Sequence, residues 1–326
     1  MSYALVFPGQ GAQSIGMLQP LAEMSAIIAD TYAEASEALG YDLWAVVCDG
    51  PESKLNSTEY TQPAILVGSV AVYRMLRSGQ FEIEGFSGEA PVAVAGHSLG
   101  EYSALCAAGT VQLGAAARLV AERGRLMQAA VAGMDTAMAA VLGLEDQDVI
   151  NVCEHLSQTM GQKELVAAVN FNCPGQVVIA GTKKAVARAS EQLKGEGAKR
   201  IVPVPVSVPS HCILMKSAAE ELAEAIETAV VSAPAVPVIQ NLDGEVAQDL
   251  KTVKDKLVRQ LYTPVQWVSS MQTLLRYQPT VVLECGPGAV LSGLLKKIDR
   301  SVSVKALSRA SEWRAAGEAA ANEVAG

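Results

Sequence analysis

Short apolar segments alternate with stretches of helical periodicity along most of the chain. Tyr3–Phe7, Pro91–Ala95 and Val281–Cys285 have the composition of buried strands. The residues over Gln112–Val131 repeat with the period of a helix, and a further helix is expected over Pro63–Arg77, since proline suits the first helical position. This alternation predicts an α/β fold around a mostly parallel sheet.

The middle of the chain has a different order of elements. Between residues 134 and 206 the pattern predicts β-α-β-β-α-β, the order of a ferredoxin-like fold, with its last strand over Lys199–Val206. We therefore predict a ferredoxin-like small subdomain over residues 134–206. It is inserted into a larger subdomain made of residues 1–133 and 207–326.

Composition excludes several classes of protein. The 326 residues include 34 acidic and 25 basic side chains, a formal net charge of −9, and only 5% are aromatic. This balance argues against nucleic-acid binding and against binding to anionic membranes. No apolar stretch is long enough to span a bilayer, and the N-terminus lacks the features of a signal peptide. Six scattered cysteines show no metal-ligand spacing, which predicts reduced thiols, no metal site and a cytoplasmic location.

A G-x-S-x-G motif, Gly96-His97-Ser98-Leu99-Gly100, directly follows a predicted strand and precedes a helix. This context is typical of a nucleophile elbow, in which the serine hydroxyl stands clear of the sheet and the next backbone N–H points at the reacting carbonyl. An ordinary glycine-rich turn is the alternative, and the fit on both sides favours a nucleophilic Ser98. The loop Phe7-Pro8-Gly9-Gln10-Gly11 can bring further N–H groups to an oxyanion.

A base for Ser98 must come from three histidines. The His97 side chain should point away from its neighbour, and His155 lies on a solvated helix of the small subdomain. Elimination favours His211, with a helix N-terminal histidine of no catalytic task as the alternative. Esterases of the α/β-hydrolase type place their acid between the serine and the histidine in the sequence. The acids between Ser98 and His211 are poorly placed for this role, so a hydrolase is disfavoured.

Arg123 lies at the centre of the apolar stripe of the helix over Gln112–Val131. An unpaired charge buried there is prohibitive. Arg123 therefore either closes an ion pair with an acid or binds a ligand carboxylate through both of its terminal nitrogens. The neighbouring serine motif favours the carboxylate. The apolar residues within about 60° of Arg123, at 100° per residue, are Ala116, Leu119, Val120, Leu126, Met127 and Ala130.

A series of short segments makes the chain resemble the bacterial malonyl-CoA:acyl carrier protein transacylases from about Tyr3 to about Asp299. The departures from the family pattern are minor: Cys173, Cys285 and the sequence Asn241-Leu242-Asp243. The segments are Phe7-Pro8-Gly9-Gln10-Gly11-Ala12-Gln13, Thr61-Gln62-Pro63-Ala64, Gly96-His97-Ser98-Leu99-Gly100-Glu101-Tyr102, Arg123-Gly124, Asn170-Phe171-Asn172-Cys173-Pro174-Gly175-Gln176, Pro209-Ser210-His211, Arg259-Gln260-Leu261-Tyr262 and Glu284-Cys285-Gly286-Pro287-Gly288.

The resemblance implies an α/β-hydrolase-like core with the active site facing the inserted subdomain. It implies that Ser98 attacks a thioester, that His211 serves as base and then as acid, and that the main-chain carbonyl of Gln260 orients His211. The oxyanion hole would consist of the backbone N–H groups of Gln10 and Leu99. Arg123 would bind the free carboxylate of the malonyl group.

The implied reaction carries malonyl from malonyl-CoA to the phosphopantetheine thiol of holo acyl carrier protein by a ping-pong mechanism, with no bound cofactor. We expect a transient carrier complex and a monomeric enzyme of fatty-acid synthesis. A serine thioesterase, a polyketide-pathway acyltransferase and a non-catalytic carrier-binding module are the alternatives. Six basic against two acidic residues in 181–200, with Lys216, form either a solvated surface or a docking site for the carrier protein.

Overall fold

The computed structural model describes residues 2–161, 164–206 and 208–316. Residues 1, 207 and 317–326 of the predicted large subdomain and residues 162–163 of the predicted small subdomain therefore lie outside it. The described chain has the expected mixed α/β architecture. Its strands are β1 Tyr3–Phe7, β2 Phe81–Glu82, β3 Val94–Gly96, β4 Thr136–Leu142, β5 Val166–Cys173, β6 Gln176–Thr182, β7 Arg200–Pro203, β8 Val238–Ile239, β9 Val281–Glu284, β10 Val304–Ala306 and β11 Arg314–Ala315. Its helices are α1 Gln19–Met24, α2 Ile27–Leu39, α3 Leu43–Asp49, α4 Glu52–Leu55, α5 Thr58–Arg77, α6 Gly100–Ala107, α7 Leu113–Ala130, α8 Asp146–Thr159, α9 Lys183–Gly195, α10 Lys216–Ala229, α11 Leu250–Gln260, α12 Trp267–Arg276 and α13 Val290–Ile298.

The central sheet is parallel, with the strand order β10-β9-β1-β3-β8. Strand β1 lies in the middle and is buried along its whole length, and its alternate residues enter apolar cores on the two faces of the sheet. Phe7 at the end of β1 is in register with Gly96 at the end of β3. The loops that follow these two strands therefore leave the same edge of the sheet side by side, where open α/β sheets bind their ligands.

The second sheet is antiparallel, with the order β5-β6-β4-β7, and its chain order is the predicted β-α-β-β-α-β. Helices α8 and α9 cover one face with an apolar core. The other face carries Met138, Val178 and Ala180 and packs near Cys212. Edge strand β5 is hydrogen-bonded to the segment before α12, since Val265 N–H donates to Val169 O at 2.8 Å. This contact joins the antiparallel sheet to the part of the molecule that contains the parallel sheet.

Three predicted elements differ from the structure by more than one residue at an end, and proline chemistry accounts for one of them. Helix α5 begins at Thr58 rather than at Pro63, because the Gln128 side chain accepts a hydrogen bond from the Glu59 N–H at 3.1 Å and caps an earlier first turn. Strand β7 covers Arg200–Pro203 instead of Lys199–Val206, and β3 covers Val94–Gly96 instead of Pro91–Ala95. In the first of these segments Pro203 and Pro205 lack the N–H that a strand ladder requires, which accounts for the early end of β7.

Two further properties concern the described residues as a whole. The six cysteines are free thiols, as the sequence predicted. Within the ranges given above, none of the helices combines the length and the apolar character needed to cross a bilayer.

Candidate active site

Ser98 stands on a strained turn between β3 and α6. Its backbone φ is +51°, a left-handed conformation that non-glycine residues rarely adopt. A Cβ atom on Gly96 would overlap the backbone of Gly100, and one on Gly100 would overlap the carbonyl of Phe7. These overlaps explain why the elbow requires glycine at both flanking positions.

The side chain of Asn241, two residues after the end of the adjacent strand β8, stabilises this turn through two hydrogen bonds. Its Oδ1 accepts a hydrogen bond from the Ser98 N–H at 2.6 Å, and its Nδ2 donates to the Gly96 carbonyl at 2.7 Å. No role was assigned to Asn241 from the sequence. Its place two residues after the end of a buried parallel strand was the available signal, because such positions lie at the ligand-binding edge.

Ser98 and His211 are within hydrogen-bonding distance. Ser98 Oγ lies 2.7 Å from His211 Nε2, and His211 Nδ1 lies 2.7 Å from the carbonyl oxygen of Gln260. The carbonyl only accepts, so Nδ1 carries the proton and Nε2 presents its lone pair to the serine hydroxyl. The structure thus brings together three residues, of which the first and the last are 162 positions apart in the sequence.

The surroundings of His211 keep its ring neutral. Burial and, to a smaller extent, the positive charge of Arg123 lower its pKa from 6.5 to about 3, against the opposing effect of the hydrogen bond to Gln260. His211 itself has a φ of +65°, and its backbone N–H donates to the carbonyl of Leu261 at 2.9 Å. A neutral imidazole is the form that accepts a proton from serine.

The other two histidines occupy the places expected for them. His97 is turned away from Ser98, with its Nε2 2.8 Å from Asn172 Oδ1 and its ring 5.2 Å from that of Trp267. Burial lowers the pKa of His97 as well. His155 is exposed on α8.

Arg123 is 1% exposed and points at the serine. Its terminal nitrogens donate to Gln62 Oε1 at 2.9 Å and to Gln260 Oε1 at 3.1 Å, and one of them lies 3.4 Å from Ser98 Oγ. Its guanidinium carbon is 5.5 Å from the centre of the Tyr102 ring. No carboxylate among the described residues lies within 4 Å of it, so the ion-pair alternative fails there.

Gln10 and Leu99 both line the cleft. In the described chain neither N–H donates to an acceptor of the protein, so both are available to a ligand oxygen. Leu99 immediately precedes α6, where the helix dipole adds positive potential. The Gln10 side chain is 3.5 Å from the Thr58 hydroxyl, which lies at the start of α5.

A cleft of about 240 Å³ opens above these groups, between the loops of the parallel sheet and the free face of the antiparallel sheet. Ser98, His211 and Arg123 lie along it together with the loop that contains Gln10. The side of the antiparallel sheet contributes apolar residues and a few amides. These are Met138, Ala140, Val178, Val204, Val206, Asn170, Asn172 and Gln176.

Comparison with known proteins points to one family. The acyl transferase domain model matches residues 4–323. The chain is 48% identical over 314 residues to the malonyl CoA-acyl carrier protein transacylase of Escherichia coli strain K12, covering 96% of this chain and 98% of that one. It is 41% identical over 305 residues to the Bacillus subtilis strain 168 protein of the same name, covering 94% and 93%. A solved complex of a holo type II polyketide synthase acyl carrier protein with its malonyl-transacylase has a chain that superposes with a TM-score of 0.90, at 45% identity, covering 96% and 97%.

Proposed function

The chain belongs to the acyl transferase domain family, among the malonyl-CoA:acyl carrier protein transacylases, and from that premise we propose how its residues carry out the transfer. The enzyme moves a malonyl group from malonyl-CoA to acyl carrier protein. The observation that supports the residue assignment is the arrangement of Ser98 Oγ, His211 Nε2 and the Gln260 carbonyl in one hydrogen-bonded line beside a buried arginine.

The first half-reaction acylates the serine. His211 Nε2 takes the proton of Ser98 as its oxygen attacks the malonyl thioester carbonyl, and the Gln10 and Leu99 N–H groups bind the oxyanion. The carbon–sulfur bond then breaks, and CoA leaves as a thiol with the proton from the imidazolium. The Gln260 carbonyl keeps the ring in the required orientation throughout, in place of the acid of a triad.

The second half-reaction reverses these steps with a different thiol. His211 takes the proton of the phosphopantetheine thiol, and the sulfur attacks the malonyl ester on Ser98. The oxygen–carbonyl bond breaks, and Ser98 recovers its proton from His211. Arg123 binds the free malonyl carboxylate during both halves, which selects this acyl group because a neutral one leaves the buried cation unpaired.

The finer description of the architecture belongs to this proposal. We assign residues 1–133 and 207–326 to an α/β-hydrolase-like large subdomain and residues 134–206 to a ferredoxin-like small subdomain. The all-parallel sheet supports the first assignment, and the βαββαβ order with strand order β5-β6-β4-β7 supports the second. We also propose that the enzyme acts in the cytoplasm, as a monomer, in fatty-acid synthesis. The polyketide carrier complex among its structural neighbours makes polyketide synthesis the second candidate pathway.

Carrier docking is proposed at the N-terminal end of α9. Lys183 and Lys184 line a groove there beside Met134 and Leu214, and Met134 is 40% exposed. Lys216, two residues after Leu214, begins α10. Exposed lysines around apolar side chains suit an acidic partner that buries an apolar patch. A nearby acid, Glu164, lies 3.9 Å from Lys184.

Intact-protein mass spectrometry tests the proposed chemistry. The enzyme is mixed with malonyl-CoA, its mass is measured, and holo acyl carrier protein is then added. We expect a malonyl adduct that is absent from Ser98→Ala and that moves to the carrier protein. Free malonate formed without carrier would identify a thioesterase instead. No adduct at all would identify a binding module.

A further inference from the structure

The side-chain groups that accept hydrogen bonds from the buried cation Arg123 are neutral amides and not acids. Its two terminal nitrogens contact the side-chain oxygens of Gln62 and Gln260, and its Nε has no hydrogen-bond partner in the described chain. A guanidinium in this environment needs a negative charge close by, because desolvation of an isolated ion is costly.

Glu101, three residues after the nucleophile, supplies a carboxylate that is completely buried. Its Oε1 accepts from Gln240 Nε2 at 3.0 Å, and its Oε2 accepts from the Asn241 N–H at 2.7 Å and from Gln260 Nε2 at 3.0 Å. All three partners are donors, and the Asn241 N–H can only donate. Burial raises the pKa of this carboxyl, and the three hydrogen bonds oppose that rise, because an array of donors is satisfied by the ionised carboxylate, which only accepts.

The side-chain amide of Gln260 lies between the two charges. Its Nε2 donates to Glu101 and its Oε1 accepts from Arg123, so the amide dipole is aligned with the field of the pair. The same Nε2 also donates to the carbonyl of Ser98 at 3.0 Å. The orientation of this amide is therefore kept by Ser98 as well as by Glu101.

We propose that Glu101 is a positioning residue that tunes donor specificity. Its negative charge, which the Gln260 amide separates from Arg123, offsets the positive charge of Arg123 and weakens the binding of an anionic acyl group. The Arg123–Glu101 pair is neutral before substrate binds and carries one negative charge when a malonyl carboxylate is present. The site then selects an acyl group that carries a carboxylate and still releases this group to the phosphopantetheine thiol of the carrier protein. This inference rests on the proposed function.

The substitution Glu101→Gln removes the charge and preserves the shape. The new amide oxygen accepts from Asn241 and Gln260. A flip of the Gln240 amide brings its Oε1, which has no partner in the described chain, towards the new NH₂, at the cost of the hydrogen bond from Gln240 Nε2 to the Val253 carbonyl at 3.1 Å. The two charges are separated by one amide group and two hydrogen bonds, and at an effective dielectric constant of about 20 the removal of this repulsion changes anion affinity by roughly an order of magnitude. We expect the ratio of kcat/KM for malonyl-CoA to that for acetyl-CoA to rise by about this factor.

The control Glu284→Gln removes another buried carboxylate, one that accepts from the backbone of Leu291 and Ser292 and has no contact with Arg123. It should leave the donor ratio unchanged, whatever it does to stability. A purely structural role for Glu101 predicts equal losses with both donors, and an unchanged or lower ratio in Glu101→Gln overturns the proposal. Failure of the wild-type enzyme to transfer malonyl would instead overturn the proposed function.

A second variant tests the charge balance if Glu101→Gln does not fold. Gln62→Glu places a carboxylate directly on Arg123 and loses only a weak contact from Gln62 Nε2 to the Met127 sulfur at 3.4 Å. The added negative charge should lower the malonyl-to-acetyl ratio at least tenfold. An unchanged or higher ratio would show that the acyl preference does not depend on the charge around Arg123, and the proposal would fail.

Discussion

Replacement of Arg123 by alanine should change which acyl group the enzyme accepts. The guanidinium is buried beside the cleft, 3.4 Å from Ser98 Oγ, the proposed nucleophile, and no carboxylate of the described chain touches it. Without it, a malonyl carboxylate would enter a space lined by the amide oxygens of Gln62 and Gln260 and by the Tyr102 ring, with no cation to bind. A neutral acetyl group loses no contact of this kind.

The size of the effect follows from the bonds that are lost. A guanidinium fork makes two charge-assisted hydrogen bonds to a carboxylate, each contributing about 2 kcal/mol. Their loss, about 4 kcal/mol, corresponds to a fall of roughly a thousandfold in kcat/KM for malonyl-CoA. Transfer of acetyl should be unchanged or faster, because the substrate no longer has to bury the cation without a partner.

The assay compares the two donors with holo acyl carrier protein as acceptor. Arg123→Lys provides the matched variant, since it keeps the charge and loses the planar fork, and it should fall between wild type and alanine with malonyl-CoA. Circular dichroism and a melting curve check that each variant is folded. An equal loss for acetyl and malonyl would refute the role of Arg123 as the carboxylate site.

Three further outcomes follow from the geometry. Asn241→Ala should lower kcat for both donors by about tenfold to a hundredfold, because the strained Ser98 turn loses two hydrogen bonds. An unchanged kcat in assays of malonyl and acetyl transfer would show that the turn is stable without them. Charge reversal at Lys183 and Lys184 should raise the KM for carrier protein and reduce its salt dependence while the KM for malonyl-CoA stays constant, and a constant carrier KM would place docking elsewhere. The pKa of His211 is about 3 in the fold and 6.5 when unfolded, so its stabilising effect is complete above pH 6.5 and declines as the pH falls. Between pH 8 and pH 5 the protonation of this group lowers the free energy of unfolding by about 2 kcal/mol. In urea titrations His211→Gln should lack that part of the acid destabilisation, and an equal dependence of the free energy of unfolding on pH in wild type and variant would contradict the prediction.

The sequence predicted most of what is governed by local rules. The elbow at Ser98 was predictable because its two glycines are required by backbone overlap, and β1 was predicted with its observed bounds because a buried parallel strand is continuously apolar. Arg123 stood out because one charge interrupts the apolar stripe of α7. In each case the information lies within one element of the chain.

The sequence could not predict contacts that depend on the arrangement of distant elements. The Asn241 clamp joins residues 143 positions apart, and the carboxylate of Glu101 meets the amide of Gln260 across 159 positions. The first helices, α1 to α4, were also not predicted. They are short, from four to thirteen residues, and their stability comes from packing more than from periodicity.

The acceptor for His211 is a main-chain carbonyl, and this has a genetic consequence. In a serine triad, one codon change removes the acid, whereas no amino-acid substitution at position 260 deletes its carbonyl oxygen. A saturation scan at Gln260 would report the loss of the side-chain amide that contacts Arg123 and Ser98, while the histidine kept its acceptor in every folded variant. One part of the proposed catalytic apparatus is thus encoded by the path of the backbone and is hidden from mutational mapping.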